Sequence, residues 1–322
     1  MTFHGHIRFD EFMRRALHDP EHGYYARRIS GIGRRGDFTT APMLSAATAR
    51  AIAAWAARAL KETGCRDLIE IGPGDGTLAA AVLDHLPRLT RWRTRLHLVE
   101  TSAPLTALQQ QRLGRRARWH ATPAAALAAC RGRAVIFSNE LVDAFPVRRF
   151  QRTPDGWREL ALAMDAPGKS REVLLPPGPL PASSAFQPNY PIGQWVEVHD
   201  SYRAWLEQWL PAWQAGRLLT IDYGSTADLL YHRRPRGTLR AYLHHQRLEG
   251  PAVYDHPGRQ DLTADVNFTD LMDWTRARTT ATTLRPFHEF LAATADPADP
   301  TDQALLAAHG AGGAFLVLDQ TR

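Results

Sequence analysis

Cysteine and long apolar runs are both scarce in this chain of 322 residues. The two cysteines, Cys65 and Cys130, are too few for a disulfide framework and lack CxxC spacing, which favours a reducing compartment. No run approaches the roughly 18 apolar residues of a membrane helix, and the N-terminus lacks the layout of a signal peptide. We therefore expect a soluble cytoplasmic protein without membrane insertion.

Lysine is almost absent, since only Lys61 and Lys169 are lysines and the other basic residues are arginine. Together with the abundance of alanine, this bias is typical of a GC-rich bacterial genome rather than of a phosphate-binding surface. The arginines are scattered, and no nucleic-acid-binding module is recognisable. The formal charge of +6 therefore does not predict a nucleic-acid partner.

Metal-site and hydrolase signatures are also missing. His232, His244, His245 and His256 have no HExxH motif, no cysteine partner and no regular ligand spacing. A G-x-S-x-G motif, which would indicate a serine hydrolase, does not occur. We predict no metal site from this pattern.

Short apolar runs alternate with alanine-rich amphipathic stretches between residues 67 and 139. This alternation predicts βαβ units and a doubly wound, mainly parallel α/β sheet. The run "RLLTIDYG" is typical of a fifth buried strand, and "TTLRP" and "GAFLVLD" are expected to complete the same sheet. Further helical patterns lie at 199–214, 267–278, 286–294 and 301–309.

Three stretches depart from this pattern. The first 45 residues suggest a lid or substrate loop, or ordinary packing onto the domain. Residues 146–195 predict a hairpin turning at Pro154-Asp155-Gly156, followed by a proline-rich connection without a core of its own. We therefore predict an N-terminal helical segment (1–45) and one domain (46–322), with insertions after the fourth and fifth strands at about 146–195 and 225–265.

The segment "LIEIGPGDGTL", residues 68–78, joins a strand to a helix through Gly72, Gly74 and Gly76. Glycines let the backbone turn sharply against a ligand, and the helix N-terminus offers free N–H donors. The loop also satisfies the G-x-G-x-x-A dinucleotide fingerprint, so a dehydrogenase or a purely structural turn stays open. However, Glu70 and Asp75 would repel a pyrophosphate and attract a sulfonium and an amino group. The form E-x-G-x-G-x-G looks like the S-adenosylmethionine loop of class I methyltransferases.

Other polar residues follow the second, fourth and fifth predicted strands. Glu100 ends the second strand, where a carboxylate can accept hydrogen bonds from ribose hydroxyls. Asn139, Glu140 and Asp143 follow the fourth strand, where a methyl acceptor would meet the cofactor. Asp222 ends the fifth strand and is either a ligand group near the same site or a turn former.

Glu140 and Asp143 are three residues apart and would share one face of a first helical turn. Paired carboxylates suit a cationic acceptor such as a guanidinium, which they can hold bidentately. Helix capping by Asn139 with two solvated acids explains the same residues equally well.

Eight segments, between about residues 9 and 295, together resemble the MidA-type class I methyltransferases. This is the family of the mitochondrial complex I assembly factor that dimethylates an arginine. The segments are, in order, "FMRRALHDPEHGYY", "GDFTTAPMLS", "LIEIGPGDGTL", "LVETSAPLTALQQQRL", "SNELVDAFPV", "LLTIDYG", "GTLRAYLHHQ" and "DLTADVNFTDL".

The resemblance implies a Rossmann-like methyltransferase core with S-adenosyl-L-methionine as cofactor. It implies that Gly72, Gly74 and Gly76 form the cofactor loop, that Glu100 is the ribose carboxylate, and that Asn139, Glu140 and Asp143 form an acidic acceptor motif. It further places Asp37, Thr39 and Thr40 near the cofactor and Asp222 in a "DYG" turn.

Three functions follow as hypotheses. The first is a protein arginine methyltransferase, for which the resemblance suggests a respiratory complex I subunit as the protein substrate. The second is a small-molecule O- or N-methyltransferase, and the third is a non-catalytic assembly factor that has kept the fold. A homodimer is a further expectation, whereas no nucleic acid is expected as a partner.

Overall fold

A computed structural model describes residues 5–27, 46–166, 169–243 and 246–322. By spatial contact the chain divides into two compact units. We call the first of them the sheet unit: Ser30–Leu141, Leu206–Tyr223 and Thr275–Arg322. The second is the insert unit: Met1–Ile29, Val142–Trp205 and Gly224–Trp274. In this division the N-terminal residues 5–27 group with both insertions. The predicted domain boundary at residue 45 stays a prediction.

Short strands and helices alternate through most of the described residues. The strands are β1 (His6–Arg8), β2 (Asp67–Ile71), β3 (Arg95–Val99), β4 (Ala117–His120), β5 (Val135–Asn139), β6 (Arg148–Thr153), β7 (Gly156–Ala166), β8 (Lys169–Leu174), β9 (Trp195–Val198), β10 (Arg217–Ser225), β11 (Arg240–Leu243), β12 (Gln246–Leu248), β13 (Asp261–Thr263), β14 (Val266–Asn267), β15 (Ala281–Pro286) and β16 (Phe315–Thr321). The helices are α1 (Phe9–His18), α2 (Tyr24–Arg27), α3 (Ala46–Thr63), α4 (Thr77–His85), α5 (Arg88–Arg93), α6 (Ala103–Leu113), α7 (Pro123–Ala129), α8 (Asp200–Trp209), α9 (Ala227–Leu230), α10 (Phe268–Thr275), α11 (Phe287–Leu291) and α12 (Pro300–Leu306).

The sheet unit is built on a twisted sheet of order β15-β16-β10-β5-β2-β3-β4. Strands β4, β3, β2, β5 and β10 are parallel, and β16 runs antiparallel to both β10 and β15. The doubly wound α/β prediction is thus confirmed, including the return of the last strands to the same sheet. Strand order reverses between β2 and β5, and ligands of such sheets bind outside the carboxyl ends of the strands at this point.

The core of the sheet unit follows from its alanine-rich and aliphatic sequence. All five positions of β2 are buried, as expected for a strand covered on both faces. Helix α3 buries a face rich in alanine, and its Trp55 donates a hydrogen bond from Nε1 to Asp319 Oδ2 at 3.0 Å. Among the described residues, no helix is both long and apolar enough to cross a membrane.

The insert unit contains an antiparallel sheet of order β1-β7-β6-β9, with β8 paired to β7. The predicted hairpin is confirmed, because β6 and β7 turn where Thr153 pairs with Gly156. The proline-rich connection, however, does not lack a core. Ala185 is fully buried beside Phe150, and the Phe186 ring packs edge-on against Phe150 at 5.2 Å between ring centroids.

Within the insert unit, the stretch predicted as a loop-rich insertion forms a second small sheet of order β12-β11-β13. A buried arginine is held in the same unit. Arg149 donates to Glu197 Oε1 at 3.1 Å and to the Tyr254 hydroxyl at 2.8 Å, and its guanidinium lies over the Trp195 ring. These bonds satisfy a charge that would otherwise be costly to bury.

Candidate cofactor and acceptor residues

The glycine loop between β2 and α4 has the geometry that its sequence predicts. Gly72, Gly74 and Gly76 all have positive φ, at 67°, 56° and 80°, a region that glycine adopts readily. The Gly72 N–H donates to the Val99 carbonyl oxygen, and a Cβ at Gly72 would lie 2.7 Å from Leu141 Cδ1. The loop therefore turns tightly at the carboxyl end of β2 and directly precedes the N-terminus of α4.

The Asp75 carboxylate inside this loop is engaged by the protein. It accepts a hydrogen bond from the Thr77 N–H at 2.9 Å and one from Arg112 Nη2, also at 2.9 Å. Arg112 also donates to the backbone oxygen of Asp75 at 3.2 Å. Asp75 therefore shapes the loop.

Glu70, next to the end of β2, is 2% exposed. Its Oε2 has no hydrogen-bond partner within the described part of the chain. Burial, and after it the charge of Asp75, raise the pKa of Glu70 to about 8. An unpaired buried acceptor costs about 1–3 kcal/mol, so a donor from a ligand would be stabilised there.

Glu100 follows β3, as predicted. Its Oε1 accepts hydrogen bonds from the Thr101 and Ser102 N–H groups at 2.8 and 2.7 Å, and its Oε2 accepts one from Gln109 Nε2 at 3.3 Å. Burial raises the pKa of Glu100, although these N–H donors oppose the shift. A carboxylate can accept about four hydrogen bonds, so capacity for ribose hydroxyls remains at Oε2.

Gln109 is a site residue that the sequence analysis missed. Its Nε2 also donates to the Gly74 carbonyl oxygen at 2.7 Å, and its Oε1 accepts from Trp119 Nε1 at 3.0 Å. It thereby ties the glycine loop to Glu100. The position lies within the run "QQQ" of α6, and only its burial among exposed neighbours distinguishes it.

Asn139 ends β5 and Glu140 follows it, on the other side of the switch point from the glycine loop. Glu140 has φ of 53°, a left-handed conformation that is uncommon for a residue with a side chain. Asn139 Nδ2 donates to Glu140 Oε1 at 3.0 Å, and the Glu140 N–H donates to the Ile221 carbonyl oxygen at 2.9 Å. Asn139 Oδ1 is buried and has no hydrogen-bond partner among the described residues.

Asp222 is fully buried in β10 and serves the backbone around it. Its Oδ2 accepts a hydrogen bond from the Leu141 N–H at 3.2 Å, and its Oδ1 accepts one from the Tyr223 N–H at 2.9 Å. Asp222 therefore fixes Leu141, the residue that packs against Gly72 and follows Glu140.

Asp143 belongs to the insert unit and not to the sheet unit that holds Glu140. The expected helical turn does not form, because residues 140–145 make bends and a turn closed by the Phe145 N–H on the Val142 oxygen. Helix capping by Asn139 is therefore wrong as well. The change of direction follows from the left-handed backbone of Glu140, which interrupts a right-handed helix.

Within the insert unit, Asp143 is buried and accepts a hydrogen bond from Thr263 Oγ1 at 2.8 Å. Burial raises its pKa, against the hydrogen bond from Thr263. Burial, and then the charge of Asp143, also raise the pKa of Asp261 to about 7. The Tyr25 hydroxyl donates to Asp261 Oδ1 at 3.0 Å.

Several predicted residues lie outside the described ranges. They are Asp37, Thr39, Thr40, His244 and His245.

The residues at the switch point fit S-adenosyl-L-methionine. Two buried acceptors, Glu70 Oε2 and Asn139 Oδ1, have no protein partner in the described residues and stand on the two strands that flank the reversal. The cofactor carries an ammonium group, ribose hydroxyls and an adenine amino group, all of which donate hydrogen bonds. At Gly72 the absence of a Cβ makes room for Leu141, whose Cδ1 would otherwise lie 2.7 Å from it, and so lets the loop turn tightly beside these two acceptors.

Comparisons with known proteins agree with this assignment. The chain is 29% identical over 297 residues to protein arginine methyltransferase NDUFAF7, mitochondrial, from Danio rerio, and the match covers 83% of this chain and 68% of that protein. The Xenopus tropicalis protein of the same name is 30% identical over 295 residues, covering 82% of this chain and 66% of that protein. The chain thus spans about two thirds of the length of these relatives.

A solved structure from Burkholderia thailandensis, bound to S-adenosyl-homocysteine, superimposes with a TM-score of 0.83. The two sequences are 28% identical, and the alignment covers 99% of this chain and 88% of that one. Residues 51–287 match a family of S-adenosyl-L-methionine-dependent methyltransferases, a range that includes the glycine loop, Glu100, Glu140 and Asp222. The chain therefore belongs to this methyltransferase family, and its cofactor is S-adenosyl-L-methionine.

Proposed function

We propose that this enzyme transfers a methyl group to a guanidinium nitrogen of an arginine side chain in a protein. The relatives from Danio rerio and Xenopus tropicalis are protein arginine methyltransferases by name, and their similarity to this chain covers most of its length. The observation that carries the proposal is the backbone of Glu140. Glu140 has a left-handed backbone and a carboxylate side chain, and it follows a strand beside the switch point. Such a strained position is typical of a functional residue.

Glu140 would act on the acceptor by charge and orientation. A guanidinium has a pKa above about 12 and arrives as a cation, so a carboxylate both attracts it and fixes its plane through paired N–H bonds. Because Asn139 holds Glu140 Oε1, the carboxylate is oriented before the acceptor arrives. Such an orientation concentrates the acceptor's positive charge on the nitrogens that face Glu140 and leaves the remaining nitrogen more nucleophilic.

When bound, S-adenosyl-L-methionine supplies a methyl group on a sulfonium, and S-adenosylhomocysteine is left after the acceptor nitrogen forms the new N–C bond. The acceptor loses one proton in the exchange, and we assign Glu140 as the carboxylate that accepts it. Little other covalent chemistry is required of the protein, so positioning dominates.

The remaining site residues have distinct proposed roles. The loop of Gly72, Gly74 and Gly76 would hold the cofactor, Glu70 its ammonium group and Glu100 its ribose hydroxyls. Asp222 would act as a positioning residue through Leu141. Asp143 stays a predicted acceptor residue, and Asp37, Thr39 and Thr40 stay predicted cofactor neighbours.

Three further expectations stay predictions: a cytoplasmic location, a homodimer, and a respiratory complex I subunit as the protein substrate. Methyl labelling of a cell lysate with radioactive cofactor, followed by identification of the labelled band, tests the last of these.

The test of the proposed function is methyl transfer to arginine-containing peptides, compared with the same peptides carrying lysine or citrulline. Glu140→Gln should lower turnover by about 100-fold or more, because one preorganised charge contributes about 3–4 kcal/mol. It should leave the affinity for S-adenosylhomocysteine within about twofold of wild type, since the residues proposed to bind the cofactor are unchanged. Glu62→Gln, an exposed glutamate in the same unit, is the matched control.

Labelled lysine, labelled citrulline or full activity in Glu140→Gln would each contradict the proposal. The citrulline peptide is decisive between a cationic and a neutral acceptor, since it keeps the shape of arginine and removes the charge.

A further inference from the structure

A cluster of three different metal-binding side chains lies in the sheet unit, apart from the cofactor residues. Asp67, His97 and Cys130 come together at β2, β3 and the C-terminus of α7. All three are buried, at 3%, 0% and 4% exposure. The mechanism above uses none of them.

Sheet register explains why the side chains meet. His97 is paired with Ile69, so it projects from the same face of the sheet as Asp67, two residues before Ile69. His120 is paired with Val99 and projects from this face too. Cys130 closes α7, the helix that follows β4 along the chain.

The distances between the three ligand atoms match a tetrahedral ion. His97 Nε2 lies 3.0 Å from Asp67 Oδ1 and 3.7 Å from Cys130 Sγ, and all three atoms lie within 4.8 Å of one another. Zinc bonds of about 2.0–2.1 Å to nitrogen or oxygen and about 2.3 Å to sulfur separate tetrahedral ligands by about 3.3–3.6 Å. The cluster therefore needs only small adjustments to surround an ion.

His120 supplies the outer contact that metal-binding histidines usually have. Its Nε2 lies 2.9 Å from His97 Nδ1, the ring nitrogen that faces away from Asp67 and Cys130. Without a metal, His97 Nε2 donates to Asp67 Oδ1 and Nδ1 accepts from His120 Nε2. With a metal on Nε2, the proton of His97 would lie on Nδ1, where His120 Nε2 can accept a hydrogen bond from it.

Arg95 shields the carboxylate without using all of its capacity. It donates to Asp67 Oδ1 and Oδ2 at 2.7 and 2.6 Å, which leaves further lone pairs on the carboxylate. The Arg95 side chain is 52% exposed, so the cluster lies one side chain below the surface. A tetrahedral ion held by these three side chains needs a fourth ligand, which a water molecule can supply. Both the ion and the water can reach the cluster from solvent past the Arg95 side chain.

We propose that Asp67, His97 and Cys130 form a site for a divalent metal ion, with Zn²⁺ as the ion that this mixed oxygen, nitrogen and sulfur set fits best. Binding replaces the thiol proton of Cys130 by a sulfur–metal bond, and the proton passes to solvent. The ion would join β2, β3 and the end of α7. Asp67 and Gly72 are separated along the chain direction of β2 by about 16 Å, so the ion does not reach the cofactor.

The test uses the full-length protein, freed of metal by a chelator and then titrated with Zn²⁺ or Co²⁺. Wild type should bind about one equivalent, gain thermal stability, and show a cobalt–thiolate absorption band. Cys130→Ser should lose that band and bind Zn²⁺ at least tenfold more weakly, since even outer-shell changes cost about 10–100-fold. His120→Ala, which removes only the outer contact, should keep the band and lose about 10–100-fold in affinity.

Cys65→Ser is the matched control, because Cys65 is the other buried cysteine of the sheet unit. It should bind both metals as wild type does. Equal metal binding by the two cysteine variants, or no cobalt–thiolate band in wild type, would overturn the proposal. Circular dichroism of the chelated variants separates loss of a ligand from loss of fold.

Discussion

Strand β2 carries a buried carboxylate near each end, and the protein treats the two in opposite ways. Asp67, at the amino end, accepts hydrogen bonds from Arg95 and His97. Glu70, near the carboxyl end, has an oxygen without a partner in the described residues. Burial by itself would raise both pKa values. At Asp67 the hydrogen bonds from His97 and Arg95 outweigh burial and lower the pKa, whereas at Glu70 burial prevails and the pKa is about 8.

Asp67 is thus a carboxylate that stabilises the fold, whereas Glu70 is a carboxylate available to bind a ligand. An acid that accepts hydrogen bonds from charged donors stabilises the protein in its charged form, and an acid that is buried without such donors costs stability once it is charged. Within the described residues Glu70 Oε2 thus lacks a stabilising partner, as expected at the cofactor end of the strand.

The largest expected effect concerns Glu70 and pH. Its folded pKa of about 8 exceeds the ordinary value of 4.5, so the folded state binds the proton more tightly than the unfolded state. The stabilisation is complete below pH 4.5 and is lost as pH rises towards 8, by up to about 1.4 kcal/mol per pH unit. Glu70→Gln removes this slope, so cofactor-free Glu70→Gln should exceed wild type in stability by a few kcal/mol at pH 8.

Chemical unfolding of both proteins between pH 5 and pH 8 measures this difference. Glu62→Gln, whose carboxylate is exposed, should follow wild type. Calorimetry should show the opposite trend for the ligand: Glu70→Gln should bind S-adenosylhomocysteine about 10–100-fold more weakly, since a charge-assisted bond contributes about 1.5–3 kcal/mol. Parallel pH profiles for wild type and Glu70→Gln would refute the assignment of Glu70.

Asp67→Ala should give a smaller effect of the opposite sign on stability. Breaking a buried ion pair costs about 3–5 kcal/mol, and because the Arg95 side chain is half exposed we expect about 2–3 kcal/mol. Unfolding in the presence of a chelator removes any contribution from bound metal. Asp84→Ala, which removes an exposed carboxylate paired with Arg116, should cost at most about 1 kcal/mol. A cost for Asp67→Ala no larger than for Asp84→Ala would show that Asp67 is not a fold-holding acid.

The same contrast shows what the sequence could and could not predict. The strand, loop and helix around Gly72 were predictable because an apolar run, a carboxylate and spaced glycines are all local signals. The positions of Glu100 and Asn139 at strand ends followed from the same alternation. These features depend only on residues close together in the sequence, or on the rule that parallel strands end at the same edge of the sheet. Asp222 was predicted to end its strand but lies inside β10, which continues to Ser225.

The contacts that were missed join residues far apart in the chain. Gln109 bonds to Gly74 across 35 positions, and His97 meets Asp67 across 30 and Cys130 across 33. Spacing rules for metal ligands, on which the prediction of no metal site rests, cannot detect a cluster such as Asp67, His97 and Cys130, which sheet register brings together. The prediction of a helical turn after Asn139 was wrong for a different reason. The left-handed backbone of Glu140 changes the direction of the chain, and a single such residue leaves no periodic pattern in the sequence.

The smallest expected effect concerns that residue. Glu140 has φ of 53°, which costs a residue with a side chain about 1–2 kcal/mol and costs glycine almost nothing. Glu140→Gly should therefore raise the free energy of unfolding by up to about 1 kcal/mol, less the entropy that glycine adds to the unfolded chain. The same substitution should lower turnover by about 100-fold or more, as expected for Glu140→Gln, because both remove the carboxylate that the proposed mechanism requires. Glu140→Ala removes the charge but keeps a side chain on the strained left-handed backbone. It should therefore match Glu140→Gly in activity and have a lower free energy of unfolding than Glu140→Gly. Denaturant unfolding of wild type, Glu140→Gly and Glu140→Ala measures the effect on stability, and the peptide assay measures the effect on methyl transfer. If Glu140→Gly were less stable than Glu140→Ala, the backbone at this position would not be strained, and its conformation would cease to support a functional role.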